Sequence, residues 1–408
     1  MNINRDLPKV TVTEKCRKRT AYGHPWIYDN EVVSADEITD GELADVVSEK
    51  NRYIGTGFYN SKSKIRVRII SRSTNDKFDE DFFRRRLQYA YDYRKTVMSH
   101  EDMTACRLIF GEGDSFPGLT VDRFNNLLSV QILSLGIEKR RDIILPALLD
   151  ILRKDGCKID GIYLRNDVNI RTLEGMAEEK GWYLRENDVS PVTVITENGI
   201  KYNVDVENGQ KTGFFLDQKY NRLSIHKICQ GMDVLDCFTH TGSFALNAGI
   251  AGAKSVLGID ASQLAVDQAT ENAKLNGLQE VVKFQCEDVF ALLPRLEAEG
   301  RKFDVIILDP PAFTKSRSSV KNAVKGYREI NLRAMKLLKD GGFLATCSCS
   351  HFMTYELFTQ TIGQAAKNVH KRLRQVEYRH QAPDHPILWA AEESYYLKFY
   401  IFQVMNQP

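Results

Sequence analysis

From Met232 onward, short apolar runs alternate with helical stretches: "MDVLDCF", "SVLGID", "VVKFQC", "FDVIILD" and "GFLATC". No other feature restricts the fold of this chain so strongly. Strands of this length separated by helices predict a parallel sheet with right-handed crossovers, buried on both faces. The expected class is α/β. In such an open sheet, ligands bind beyond the carboxyl ends of the strands, where the strand order reverses.

The rest of the chain is too long to share that core, because 408 residues ask for two or three domains. With 43% hydrophobic and 27% charged residues and no long apolar segment, the composition is that of a globular protein without a membrane span. The start, "MNINRDLPKV", has no apolar h-region, which predicts a cytoplasmic protein. The cysteines, from Cys16 to Cys349, follow no repeating spacing and read as free thiols. A net charge of +2 decides nothing about partners, since it can hide a local patch.

Residues 1–75 read as short strands and turns. In "SKSKIRVRIISR", Ile65, Val67 and Ile69 alternate with Lys64, Arg66 and Arg68. A period of two sets aliphatics on one face and cations on the other. That cationic face is either plainly solvated or a row that tracks phosphates. Residues 76–188 read as a helix, "DEDFFRRRLQYAYDYRKTV", then strands and a second helix that contains Pro146 and closes at Gly156. After the linker "ENDVSP", Asn198-Gly199 predicts a type I′ hairpin, and residues 189–408 form the α/β block.

The strand ends carry the chemistry. A dinucleotide pyrophosphate needs G-x-G-x-x-G, but the first loop has Phe238 and His240 at those positions and keeps only Gly242. A nucleoside cofactor without a phosphate cradle remains compatible. Asp260 follows at the distance of a ribose-binding carboxylate, and Asp288 sits beyond the third strand; each also reads as a helix cap. In "DPPAF" the two prolines hold Asp309 extended beyond the fourth strand, and Phe313 is available to stack on a planar substrate.

The fifth strand ends in "CSCSH". Phe343, Ala345 and Cys347 share one strand face, which makes Cys347 a core residue, whereas Cys349 falls beyond the strand end. Two structural thiols remain an alternative. A zinc site fits poorly, because Cys-x-Cys-x-His is short of the usual ligand spacing and lacks a fourth ligand.

These motifs resemble those of the S-adenosylmethionine-dependent class I methyltransferases. More closely, "VLDCFTHTGSFAL", "GID", "CEDVF", "FDVIILDPPAF" and "ATCSCSHFM", with "GHPWIYDNEV" and "KTGFFLDQ" upstream, resemble the bacterial large-subunit ribosomal RNA 5-methylcytosine methyltransferase I family. The resemblance implies a PUA RNA-binding β-barrel over 1–75, a small central α+β domain over 76–188 and a Rossmann-like methyltransferase domain over 189–408. It implies S-adenosylmethionine bound by Phe215, Gln218, Asp236, Phe238, Thr241, Gly242, Asp260, Asp288 and Asp309. It further implies Cys349 as nucleophile at a cytosine, Asp309 at the base edge and ribosomal RNA as partner; a homodimer is compatible with it. Ala312 departs from the lysine common in relatives. The thiol would need its pKa lowered, by His351 or by a lysine such as Lys315. Methylation of an exocyclic amine without a cysteine, or RNA binding without catalysis, are the other functions this sequence allows.

Overall fold

The computed structural model of the chain describes residues 6–314 and 316–407, so Lys315 lies outside the described residues. They form two compact units. The first runs to Ile195 and adds Val204–Leu216 and Pro383–Ser394. The second comprises Thr196–Asn203, Asp217–Ala382 and the chain from Tyr395 on. The segments of the two units interleave along the chain. The chain returns to the first unit twice, which no single cut can capture.

The first unit contains two sheets. One has six strands in the order Trp26–Tyr28, Ile65–Ser71, Tyr53–Tyr59, Leu43–Ser48, Lys9–Val12 and Val32–Ala35. Alternation turns Val10, Val12, Ile27, Val46 and Val67 into a closed core. The second sheet has five strands, in the order Glu179–Arg185, Gly161–Asn166, Leu127–Ile132, Leu119–Phe124 and Ala105–Phe110. The helix Glu80–Val97 begins where the Asp79 side chain accepts from the Phe82 amide. The helix Arg141–Lys154 continues through Pro146. It closes with Gly156 at φ 81° and the Cys157 amide bonded to the Leu152 carbonyl at 2.9 Å.

The expected row of three cations is corrected here. Lys64 is exposed, and Arg66 is half-buried, its guanidinium donating to the Asn60 carbonyl at 3.0 Å. Arg68 instead lies between Glu112, at 3.2 Å, and Glu174, at 2.9 Å, with 12% of its side chain exposed. An arginine already paired with two carboxylates is not free to hold phosphate. The pairs tie a strand of the first sheet to connections between strands of the second, a contact no strand period reveals. Trp26 donates to the same Glu112 at 2.8 Å.

The second unit is built on a seven-stranded sheet. Its strands are β1 (Asp233–Cys237), β2 (Ser255–Asp260), β3 (Val282–Cys286), β4 (Phe303–Leu308), β5 (Leu338–Ser348), β6 (Lys371–Arg379) and β7 (Lys398–Asn406). They lie in the order 3-2-1-4-5-7-6, with β1–β5 parallel and β7 antiparallel between β5 and β6. Five helices alternate with them: α1 (Ser243–Ile250), α2 (Gln263–Leu275), α3 (Val289–Ala298), α4 (Val320–Leu337) and α5 (Tyr355–Asn368). Leu235, Ile306, Leu308, Leu344, Tyr327 and Phe358 lie in the core cluster of this unit. The hairpin forms as expected, Asn198 and Gly199 having φ of 54° and 79° between Val192–Glu197 and Ile200–Asp205. Its tip counts with the second unit, where Glu197 pairs with Arg222 at 2.6 Å, both side chains almost fully buried. Among the described residues no helix is long and apolar enough to cross a membrane.

Candidate active site at the strand ends

Cys237 of β1 and Leu308 of β4 are register partners, so Phe238 and Asp309 leave the sheet side by side where the strand order reverses. The Asp309 amide points back to the Cys237 carbonyl at 3.4 Å. The loop after β1 is strained: Phe238, His240 and Gly242 have φ of 65°, 51° and 82°. Left-handed Phe and His cost about 1–3 kcal/mol each, which the surroundings must over-determine. Four bonds do so. Thr239 bonds the Ile259 carbonyl (2.9 Å) and, by its hydroxyl, Asp236 Oδ2 (2.5 Å); the His240 amide bonds Asp260 Oδ2 (2.9 Å), and Ala245 N reaches Asp236 Oδ2 (3.0 Å). Gly242 is required twice over, since a Cβ there would lie 2.7 Å from Phe284 Cζ.

The carboxylates expected at the cofactor take distinct places. Asp236 is fully buried, and burial pushes it up to about 7. Among the described residues its Oδ1 and the Thr241 hydroxyl have no hydrogen-bond partner, and both are buried. Asp260 is half-buried and is not a helix cap: Ser262 caps α2, while Asp260 Oδ1 accepts from the Ser262 amide at 3.0 Å. Asp288 does cap α3, with Oδ1 accepting from the amides of Phe290 (2.7 Å) and Ala291 (3.2 Å).

Asp309 accepts from Gln218 Nε2 at 2.9 Å, and Asn221 fixes Gln218 in turn at 2.6 Å. Burial and then the nearby Asp217 charge push Asp309 up to about 7. β5 outruns β4: Thr346 pairs with Leu308, Cys347 is fully buried, and Cys349 follows the last strand residue. Cys349 Sγ lies 3.8 Å from the Pro310 carbonyl, on the turn that carries Asp309. The serines on either side anchor it. Ser348 donates to the Tyr327 phenol at 3.1 Å, and Ser350 donates to the Thr314 carbonyl at 2.8 Å.

The thiol is not lowered as expected. Burial first, then the charges of Asp309 and Asp217, push Cys349 up to about 12. His351 does not figure among the groups acting on it; the cation that does is Lys398. Lys398 opens β7, opposite Ser348. It is almost fully buried, its ammonium donates to the Ser350 carbonyl at 2.6 Å and the Tyr396 carbonyl at 2.8 Å, and burial pulls it down to about 8.

Phe313 is packed on one side. It is half-buried in an aromatic cluster, with Tyr327, Phe290 and Phe238 at 4.7, 5.9 and 6.4 Å, because α4 brings Tyr327 and Gly326 against it. Part of the ring expected to await a base is taken up by this packing, and part stays exposed. Phe290, on the first turn of α3, is 43% exposed and is the more open aromatic here. Phe215 is half-buried and belongs to the first unit. Sequence reading missed Lys398, Tyr327 and Phe290. The one available signal was the lysine inside the apolar run "YYLKFYIF". The described residues hold no group of three or more His, Cys, Asp or Glu side chains suited to a metal.

The oxygens of Asp236 and Thr241 that find no partner among the described residues, the half-buried carboxylate of Asp260, the exposed one of Asp288, and a loop without a phosphate cradle fit a nucleoside-type cofactor over β1 and β2. Known proteins agree. A family model described as S-adenosylmethionine-dependent methyltransferase matches residues 182–398, and one described as PUA-like domain matches residues 10–72. A protein of Shewanella denitrificans named ribosomal RNA large subunit methyltransferase I is 41% identical, covering 93% of this chain and 95% of its own. A Klebsiella pneumoniae protein of the same name is 37% identical over 98% and 99%. Among solved structures, a Streptococcus mutans protein described as a SAM-dependent methyltransferase superposes with a TM-score of 0.81, at 22% identity over 97% of this chain and 99% of that one. SMU.776, described as a methyltransferase complexed with SAH, gives 0.82 at the same identity and coverage. At that identity the two structures speak for the fold alone.

Proposed function

The chain belongs to the ribosomal RNA large subunit methyltransferase I family and takes S-adenosylmethionine as cofactor, and on that premise we propose that it forms 5-methylcytosine in large-subunit ribosomal RNA through a covalent adduct on Cys349. One observation carries the reading. A cysteine and a carboxylate converge at the ends of adjacent parallel strands, the sulfur 3.8 Å from the carbonyl that follows Asp309.

Cytosine carbon 5 is too weak a nucleophile to attack a methyl sulfonium unaided. In the proposed route the Cys349 thiolate adds to carbon 6 of a base taken out of its stack, which makes carbon 5 enamine-like. Asp309, raised to about 7, is in part a neutral acid near neutrality and can donate a hydrogen bond to the ring nitrogen as charge builds there. Gln218 and the two prolines keep that carboxyl in place. Asp236, Thr241, Gly242, Asp260 and Asp288 would hold the cofactor, which supplies an electrophilic methyl group. Loss of the carbon 5 proton to a base and expulsion of the sulfur complete the cycle. Ser348 and Ser350 set where the sulfur points rather than reacting themselves.

Replacing Cys349 with alanine should abolish methylation of ribosomal RNA, read as mass in a nuclease digest, while calorimetric binding of S-adenosylmethionine persists. Full activity of that variant would reject the covalent route. A second reading draws on the high pKa of the thiol: methylation of an exocyclic amine with Asp309 alone. The same digest decides between them, since N4-methyl and 5-methyl cytidine fragment differently.

A further inference from the structure

Lys398 poses a question that packing does not answer. Its side chain is buried to 1% exposure at the head of β7. Among the described residues no carboxylate lies within ion-pair distance of it, although other buried cations of the chain, Arg94 and Arg222, each hold one. Two of its three donors are used by the carbonyls of Ser350 and Tyr396. A buried ammonium without an anion is costly, and such groups are normally paired. The Ser350 carbonyl belongs to the residue next to Cys349, and the opposite register partner, Ser348, is the residue before it. The cation is thus fixed by the two neighbours of the sulfur.

We propose that Lys398 is a positioning residue whose ammonium is the resident counter-ion for the Cys349 thiolate. The inference rests on Cys349 being the nucleophile. In the resting chain the sulfur carries its proton. On activation the S–H bond breaks, the proton passes to the Asp309 carboxylate, and one negative charge moves from oxygen to sulfur, leaving net charge unchanged. The ammonium then has a negative charge near it, held beside the residue next to the sulfur by its bond to the Ser350 carbonyl. The other ionisable groups that bear on the sulfur, Asp309 and Asp217, are acidic and disfavour its thiolate. The lysine is the one group in that set that favours it. Tyr395, whose ring centroid lies 6.0 Å from the ammonium, lines the lysine on its own strand side.

The test needs no RNA. Iodoacetamide reacts with thiolate, and peptide mass spectrometry resolves Cys349 from the exposed Cys286, which serves as internal control. Lys398→Gln, which keeps hydrogen-bond donors but no charge, and Lys398→Met should each slow alkylation of Cys349 about tenfold or more and move its pH midpoint up by about one unit. Lys398→Arg should stay within about threefold of the unmodified chain. Cys286 should react equally in all four chains. Equal Cys349 rates in the Gln variant and the unmodified chain overturn the proposal, as does an equal loss in the Gln and Arg variants, which would mark a packing role. If one neutral variant fails to fold, the other gives the same comparison. Failure of the nucleophile reading looks different: there Cys349→Ala methylates RNA fully, whatever the alkylation rates.

Discussion

Asp236 lends itself to a quantitative test, because it is an acid with no exposed surface that the native chain keeps protonated up to about pH 7, against 3.8 as its ordinary value. Between those values the folded chain holds a proton that the unfolded chain has released. Stability therefore falls as pH rises through this window, at about 1.4 kcal/mol per unit for one group, and levels off above 7. Integrating from pH 5 to pH 8 gives a loss of about 2.5 kcal/mol attributable to this carboxyl. Asp236→Asn removes the titration while leaving an oxygen to accept from Thr239 and Ala245. Urea unfolding of both ligand-free chains at pH 5, 6, 7 and 8 is the assay. The stability of the Asn variant relative to the unmodified chain should climb by about 2.5 kcal/mol over that range. Asp309 titrates in the same direction but is present in both chains, so it largely cancels from the difference. A difference that stays flat with pH would refute the argument that Asp236 is buried as an acid. The same variant should bind S-adenosylmethionine less tightly, since one buried oxygen without a partner becomes a donor.

Three further outcomes follow from the geometry. Glu197→Gln takes a carboxylate charge away from the buried Arg222 guanidinium and should cost about 3–5 kcal/mol in denaturant unfolding; a loss under about 1 kcal/mol would mean that this charge pair contributes little. Gly242→Ala should destabilise the second unit by about 1–3 kcal/mol and weaken cofactor binding, and Phe284→Leu should relieve part of the loss because it clears the space the new Cβ needs. Replacing Lys64 and Arg66 together should reduce the slope of log affinity for RNA against log salt by up to about 2, measured by fluorescence anisotropy. Arg68→Ala should instead lower stability with little change in that slope.

The parallel core was legible because its signals are local: apolar runs mark the strands, glycine marks the turn after the first strand and two prolines the turn after the fourth. The type I′ hairpin was legible for the same reason. What escaped reading depends on partners far apart in the chain. Arg68 looks like one of three equal cations until Glu112 and Glu174 arrive from the connections between strands of the second sheet. Phe313 looks free until α4 folds back with Tyr327. Lys398 was missed because β6 and β7 were not recognised as strands of the sheet. Without β7 beside β5, nothing connects residue 398 to Cys349. Even the role of the paired serines, which frame the cysteine in sequence, became clear only from where their hydroxyls go.

The position of β7 also bears on how the protein is made. Synthesis proceeds from the N-terminus, and this strand, made after both of its neighbours, must lodge between them. Until then β5 presents an unpaired edge and the loop bearing Cys349 has no lysine behind it. A chain in which β7 has not yet docked thus leaves the strand end at Cys349 without its antiparallel neighbour.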